Sequence, residues 1–268
     1  MLTAVKVAGK KLFGAVGLEV RKTRAPELPR AGLRGALRQL AGLGFRPATI
    51  FDVGVAYHTA ELYEEFPKSS IVLIEPLVEF EPSLRKICEE YKAQYVLAAA
   101  GAASGTATFN VHADQLDGSS LLKEVEGAAV DGVPRQVPVV TIDQVCAEKN
   151  TKAPYLLKVD VQGAELQVLA GAQSTLRKTE AVILETTLFG TIIGGAQIFD
   201  VMAKMKEYGF VAYDIFGLLY RPLDNALSQI DIVFVREDGS FRASHAFATP
   251  EQRKALAWKP DSRLAGGG

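Results

Sequence analysis

Residues 211–235 read VAYDIFGLLYRPLDNALSQIDIVFV, and this stretch decides the fold. Two apolar runs, Val211–Phe216 and Ile230–Val235, have the composition of buried strands. Between them lies a loop, 217–228, of about a dozen residues with no helical stripe. A parallel crossover of that length is difficult without a helix, so the second run is expected to return antiparallel to the first.

Upstream, the pattern is one of short buried strands alternating with helices. The runs are Thr49–Val53, Ile71–Glu75, Tyr95–Ala99, Tyr155–Val161 and Ala181–Thr187. Their near-continuous apolar character fits strands covered on both faces, as in a parallel sheet. Residues 196–208 carry Ile198, Val201, Met202, Met205 and Tyr208 on one helical face, with Gly209 as the stop. Thr141 with Gln144, and Thr249 with Gln252, are capping-box patterns that open two further helices. Residues 103–140 interrupt the alternation and are expected to hold two extra strands, Thr106–His112 and Gln136–Val140. The expected fold is α/β: a Rossmann-like, doubly wound, mostly parallel seven-stranded sheet with a final antiparallel strand.

Three regions follow from this reading: a basic helical arm (1–46), the α/β domain (47–236, with the insertion 103–140) and a tail with a short helix (237–268). The arm holds ten Lys/Arg against two acids, so +8, which leaves −9 for the rest of a chain whose total is −1. Leu33, Leu37 and Leu40 form an apolar stripe beside Arg34 and Arg38. Such a helix either packs on the acidic body or makes a peripheral contact with an anionic membrane. The first 17 residues make a poor signal peptide, because Lys6, Lys10 and Lys11 interrupt the apolar stretch. Cys88 and Cys146 cannot form a disulfide framework, and no Cys/His cluster has zinc spacing. The expected location is the cytoplasm, with the inner membrane surface as the site of any arm contact. No basic patch interleaved with aromatics lies outside the arm, so no nucleic-acid partner is expected, and no metal site is assigned.

The candidate site residues stand at strand ends. In FDVGVAYHTAELYEEF, Asp52 and Gly54 close the first strand ahead of a loop and helix, where doubly wound sheets bind ligands. Glu75 closes the second strand 21 residues beyond Gly54, where an acid can accept hydrogen bonds from both ribose hydroxyls. The bland alternative is a strand-end turn with a solvated Glu. Val55, Ala56, Tyr57, His58 and Thr59 lack the glycines of a dinucleotide fingerprint, which argues against a nicotinamide oxidoreductase. In YLLKVDVQGAELQVLAGA, Lys158 and Asp160 share one strand face, and burying either unpaired would be costly. They are read as a site or as a structural ion pair, with Glu165 as a site acid or a helix-start residue. Glu185, at the end of the next strand, is a second acid beside this patch. Ser119, Ser120, Tyr220, Arg221, Asp224 and Asn225 lie in loops that could reach the ligand face.

The segments FDVGVAYHT, IVLIEP, YLLKVDVQGAELQVLAGA and YDIFGLLYRPLDNALSQIDIVFVRED resemble the FkbM family of S-adenosylmethionine-dependent methyltransferases, across about residues 48–236. The resemblance implies a class I methyltransferase sheet and O-methylation of a hydroxyl on a sugar, glycan or natural product, with S-adenosylmethionine as cofactor. It implies cofactor contacts from Asp52, Gly54, Ala56, His58, Glu75 and Pro76. It places Asp160 and Glu165 near the reaction centre, with Asp160 first choice and Glu185 second as general base and Lys158 beside them. His58 stands where the family carries glycine, which leaves a catalytically weak cofactor-binding or scaffold protein as the alternative.

Overall fold

Successive residues of a strand point to opposite faces of its sheet, and here both faces are covered by helices. In the computed structural model, Arg30 and residues 32–255 are described. The part of the basic arm before Arg30, with Lys6, Lys10 and Lys11, lies outside the described residues.

The elements in chain order are α1 (Leu33–Gly42), β1 (Thr49–Val53), α2 (Ala60–Glu65), β2 (Ser70–Ile74), α3 (Glu81–Tyr91), β3 (Gln94–Val96), β4 (Ala99–Ala100) and β5 (Gly105–Val111). There follow β6 (Val133–Val140), α4 (Ile142–Glu148), β7 (Tyr155–Val159), α5 (Glu165–Ala170), α6 (Gln173–Leu176), β8 (Thr179–Thr187), α7 (Ile198–Glu207), β9 (Phe210–Tyr220), β10 (Leu227–Arg236) and α8 (Pro250–Ala255). The main sheet has seven strands in the order β3-β2-β1-β7-β8-β10-β9. β10 runs antiparallel to both its neighbours, and the other pairs are parallel. Ile50, Leu156, Ile183 and Val233 pack under α1, α2 and α3. Phe51, Leu157, Val182 and Phe234 pack under α4 to α7 on the other face.

Of the two expected capping boxes, that of Thr249 and Gln252 forms in full and that of Thr141 and Gln144 only by half, since the Gln144 side chain bonds Glu148 at 2.7 Å instead of the Thr141 backbone. The Gln144 amide donates to Thr141 Oγ1 at 3.1 Å. Thr249 and Gln252 exchange two bonds, at 2.9 and 3.2 Å. α1 is docked by its stripe: Leu37 and Leu40 are fully buried, and Leu33 is partly so. Arg34 bonds Glu64 at 2.8 Å, and Arg38 lies 3.7 Å from Glu65. Burying two leucines contributes about 3–6 kcal/mol, whereas exposed ion pairs contribute about 0–1 kcal/mol each. The stripe therefore does the docking and is spent on the core. Among the described residues, no helix is long and apolar enough to cross a membrane.

Two expectations are corrected. The run Tyr95–Ala99 is not one strand: β3 ends at Val96, and Ala99–Ala100 pairs with β6 in a second, three-stranded sheet, β4-β6-β5. The sequence YVLAAA carries no breaker, and it is pairing with the distant insertion that divides it. The loop 217–228 is likewise shorter than its composition suggested. β9 and β10 extend to Tyr220 and Leu227 as a long hairpin, and only residues 221–226 turn.

Gly54 joins the strand ends that carry the site. Its amide donates to the Ile74 carbonyl at 2.9 Å, and the Asp160 amide donates to the Val53 carbonyl at 3.0 Å. Gly54 has φ +78°, and an added Cβ would lie 1.7 Å from the Asp160 carbonyl oxygen. The glycine is thus demanded by the neighbouring strand's backbone as well as by its own conformation. Gly54→Ala is expected to cost at least ~2–3 kcal/mol from overpacking and left-handed strain. Gly44→Ala, also at positive φ but with nothing within 4 Å, should cost only ~1 kcal/mol. Urea unfolding of both variants checks the contrast, and equal losses would refute it.

Candidate active site

A cleft of about 480 Å³ opens at the carboxyl ends of β1, β2 and β7. The loop 54–59 and the β2–α3 turn form one side, and residues 115–121 of the insertion form the other. Of the residues singled out in the sequence, Gly54, Ala56, His58, Glu75, Pro76, Lys158, Asp160 and Glu185 all line it. Asp52 and Glu165 do not.

Glu75 is buried, and both its carboxylate oxygens are held. Oε2 accepts from the Ala56 amide at 3.1 Å and Oε1 from the Leu77 amide at 3.0 Å. One carboxylate thereby ties together two loops that wall the cleft. Burial pushes its pKa up, and the Leu77 and Ala56 amides act against that shift. Ala56 takes φ +47° to make this bond. The left-handed positions of the loop are therefore Gly54 and Ala56, whereas His58 is exposed and has no positive φ. The glycine expected at 58 is not required by backbone conformation.

Lys158 sits between two carboxylates. Its Nζ is 3.1 Å from Asp160 Oδ2 and 3.9 Å from Asp52 Oδ1, and the lysine is almost fully buried. The pairing follows from register, since Asp52 on β1 lies directly beside Lys158 on β7. Burial works against the ammonium charge, but Asp160 and Asp52 outweigh it and raise the lysine pKa. Asp52 is wholly buried behind the cleft and accepts a 2.5 Å bond from the Tyr63 hydroxyl of α2. Burial raises its pKa, with Lys158 and Tyr63 opposing. Asp52 therefore anchors Lys158 and α2 and does not line the cleft. Glu165 also turns away. Its Oε1 accepts from the Gly163 amide at 3.0 Å and the Val161 amide at 3.4 Å, so it holds the β7–α5 turn, and burial lifts its pKa to about 7.

Beyond Asp160 the chain turns through two left-handed residues, Gln162 (φ 55°) and Gly163 (φ 94°). A strained non-glycine position of this kind is often found at functional sites. Here it sets the Gln162 amide 2.8 Å from Glu185 Oε1 and 3.3 Å from Asp160 Oδ1. Glu185 lies opposite Asp231 across β8 and β10. Burial first, then repulsion by Asp160 and Asp231, pushes Glu185 up to about 9. Burial and Asp160 push Asp231 up to about 6. Among the described residues, no group of three or more His, Cys, Asp or Glu is arranged to hold a metal ion.

Three participants escaped the sequence reading: Tyr63, Gln162 as a bridge, and Asp231. Only Asp231 left a signal, an acid inside the apolar run IDIVFV. Ser119 lines the cleft and accepts from the His112 amide, and Ser120 donates to the Gln162 carbonyl at 2.7 Å. Ser120 thus fastens the insertion to the β7–α5 turn, whereas the Ser119 bond is internal to the insertion. Arg221 and Asp224 pair with each other in the hairpin turn, and neither they nor Tyr220 and Asn225 line the cleft; Leu219 and Gln229 do.

The strand order, with β10 reversed, is that of class I S-adenosylmethionine-dependent methyltransferases. The chain belongs to the family of the methyltransferase FkbM domain, whose model matches residues 49–212. No curated protein gives a significant match. Solved structures similar in fold include magnesium protoporphyrin IX methyltransferase from Synechocystis, with 10% identity, a TM-score of 0.42 and coverage of 76% of each chain. A 1,6-didemethyltoxoflavin-N1-methyltransferase from Burkholderia thailandensis gives 12% and 0.39, covering 76% of this chain and 79% of that one. A putative RNA methyltransferase from Pyrococcus horikoshii gives 11% and 0.40, covering 81% and 90%. At these scores the likenesses carry no argument about ligand or acceptor.

The position of Glu185 has a measurable consequence. Its folded pKa, about 9, lies above the ordinary 4.5, so the native state holds a proton that the unfolded chain releases. Stability from that proton is complete below pH 4.5 and is lost as pH rises towards 9. Glu185→Gln mimics the protonated form and does not titrate. Its Tm should match the parent near pH 4.5 and exceed it by at least ~3 °C at pH 8.5. A Tm difference that stays constant across pH would contradict the assignment.

Proposed function

We propose that the protein is an O-methyltransferase that binds S-adenosylmethionine in the cleft and uses Asp160 to accept the proton of an acceptor hydroxyl. The observation that carries this reading is that Glu75 and Asp160, at the ends of β2 and β7, face one cleft whose loops and walls are already fastened. The residues fit the cofactor. Glu75 has lone pairs beyond its two amide bonds to meet ribose hydroxyls, and Pro76, Leu77 and Phe80 offer an apolar wall for a base. The acidic cluster favours a cationic ligand. When bound, S-adenosylmethionine supplies an electrophilic methyl group on a sulfonium.

The rest of the work belongs to the chain. Lys158 holds the Asp160 carboxylate from one side and Gln162 holds it from the other. Both contacts restrict it to one rotamer facing the cleft. Glu185, with its proton retained up to about pH 9, is not a base at neutral pH and donates or accepts a hydrogen bond instead. Proton removal thus falls to Asp160, and the insertion above the cleft limits access of water. Because the loop 54–59 has no run of glycines for a pyrophosphate, a nicotinamide dinucleotide fits this cleft poorly.

Calorimetry with S-adenosylmethionine, S-adenosylhomocysteine and NAD tests the cofactor reading. The first two should bind and NAD should not; binding of NAD alone would overturn it. Glu75→Ala should weaken S-adenosylmethionine by about 1.5–3 kcal/mol, with Glu75→Gln intermediate. Unchanged affinity in folded Glu75→Ala would remove Glu75 from the site. Asp160→Asn should lower turnover by about 10²–10⁴-fold with cofactor affinity retained, and near-normal turnover would exclude it as base.

A further inference from the structure

The cleft runs along the carboxyl edge of the main sheet. In strand order, Glu75 stands at its β2 end, Asp160 at β7 in the middle, and Gln229 of β10 and Leu219 of β9 at the far end. Adjacent strands are about 4.8 Å apart, so Gln229 lies two strands, or ~10 Å, beyond β7 on the side away from Glu75. We infer that Leu219 and Gln229 are specificity-determining residues for the methyl acceptor. The Gln229 amide meets a hydrogen-bonding group and Leu219 the apolar surface next to it, at a point remote from the reacting atoms. This rests on the methyl-transfer reading and adds to it the residues that select the acceptor.

The backbone is shaped to aim this pair. Leu219 and Gln229 are paired across the β9–β10 hairpin, and the register is broken on both sides of them. Between Phe216/Asp231 and Leu219/Gln229, β9 advances three residues and β10 two. Between Leu219/Gln229 and Tyr220/Leu227, β9 advances one and β10 two. The bulges therefore lie on opposite strands and bracket a single pair. A bulge re-aims the side chain beside it, since an added residue reverses the face on which the next one falls. The first is made at Gly217, left-handed at φ +63° and packed so closely that an added Cβ would collide with the Asp231 carboxylate. The hairpin is also strapped to the β8–α7 connection. The Ser228 carbonyl accepts from the Leu188 amide at 2.8 Å and from the Thr187 hydroxyl at 3.1 Å. The Arg221 guanidinium, held in a fork by Asp224, lies 3.7 Å from the centre of the Phe189 ring. The side chains so placed are open to a ligand. Leu219 is 54% exposed, and the half-buried Gln229 side chain makes no hydrogen bond to any described residue. Glu75, Asp160 and Gln162, by contrast, are each engaged by partners inside the protein. A carboxamide both donates and accepts, so Gln229 can meet a hydroxyl in either sense without adding charge to the cleft.

Analogues of S-adenosylhomocysteine in which a nitrogen replaces the sulfur and carries a third arm test this, because the arm leaves the cofactor where the methyl group would. The arms are straight chains of two or seven carbons ending in a hydroxyl or a methyl group, and calorimetry on the full chain measures each. The seven-carbon arm ending in hydroxyl should bind at least fivefold more tightly than the one ending in methyl. Gln229→Leu should abolish or reverse that preference, and Leu219→Ala should weaken both long arms at least threefold. S-adenosylhomocysteine and the two-carbon arms, which end beside Asp160, should bind both variants as they bind the parent. Absence of the hydroxyl preference in the parent overturns the inference, as does its persistence in Gln229→Leu or long arms indifferent to Leu219→Ala. A loss shared equally by S-adenosylhomocysteine overturns it too, since the pair then acts on the fold or the cofactor site. Failure of S-adenosylhomocysteine to bind the parent removes the cofactor reading and the inference together.

Discussion

A buried lysine between two aspartates is the constraint on which the rest of this structure depends. Lys158 can stay charged out of water only because Asp52 and Asp160 compensate the desolvation. That requirement fixes β1 beside β7 in one register, because Asp52 and Lys158 must be neighbours. It fixes α2 as well, through the Tyr63 hydroxyl on Asp52. Removing one partner of such a group costs about 3–5 kcal/mol, since the remaining charge is left uncompensated. The two aspartates are not equivalent. Asp52 faces the helices and is closed off, whereas Asp160 lies one step past the end of its strand and looks into the cleft.

The electrostatics of the cleft follow from there being too few cations. Lys158 is already engaged by two carboxylates, yet Glu165, Glu185 and Asp231 lie close behind Asp160. The surplus is relieved by protons, and so the pKa values spread: about 6 for Asp231, about 7 for Glu165 and about 9 for Glu185. Environment, and not residue type, divides the roles. A carboxyl that keeps its proton serves as a hydrogen-bond donor, and the one braced by Lys158 and Gln162 is left to act on a substrate proton. The same surplus makes the cleft receptive to a positively charged ligand.

Much of this could be read in the sequence, and the exceptions have physical reasons. The apolar runs located every strand of the main sheet, because a strand buried on both faces has little freedom in composition. The reversal at β10 was legible from the missing helix between the last two runs. The division of YVLAAA between two sheets was not, since pairing with a partner some forty residues away leaves no local mark. Among the candidate residues, Gly54, Glu75, Asp160 and Glu185, which stand at strand ends, line the cleft as their positions implied. The orientation of Asp52 and Glu165 was not legible: strand register and the helix start turn both carboxylates inward, and a one-dimensional pattern does not show that Lys158 and the Gly163 amide claim them first. Tyr63 and Gln162 act through contacts made only after folding.

The central claim is that this acidic, lysine-braced cleft receives a cationic methyl donor. The most direct measurement is calorimetry of S-adenosylmethionine and S-adenosylhomocysteine binding at pH 8 in buffers of different ionisation enthalpy, which counts protons exchanged. A sulfonium in a cleft lined by Glu185 lowers the pKa of that carboxyl, so that a fraction of its proton is released at pH 8 although it is still held at neutral pH, and the neutral thioether does so far less. The account predicts net proton release with S-adenosylmethionine and clearly less with S-adenosylhomocysteine. Equal proton exchange with the two ligands, or proton uptake with S-adenosylmethionine, would contradict it.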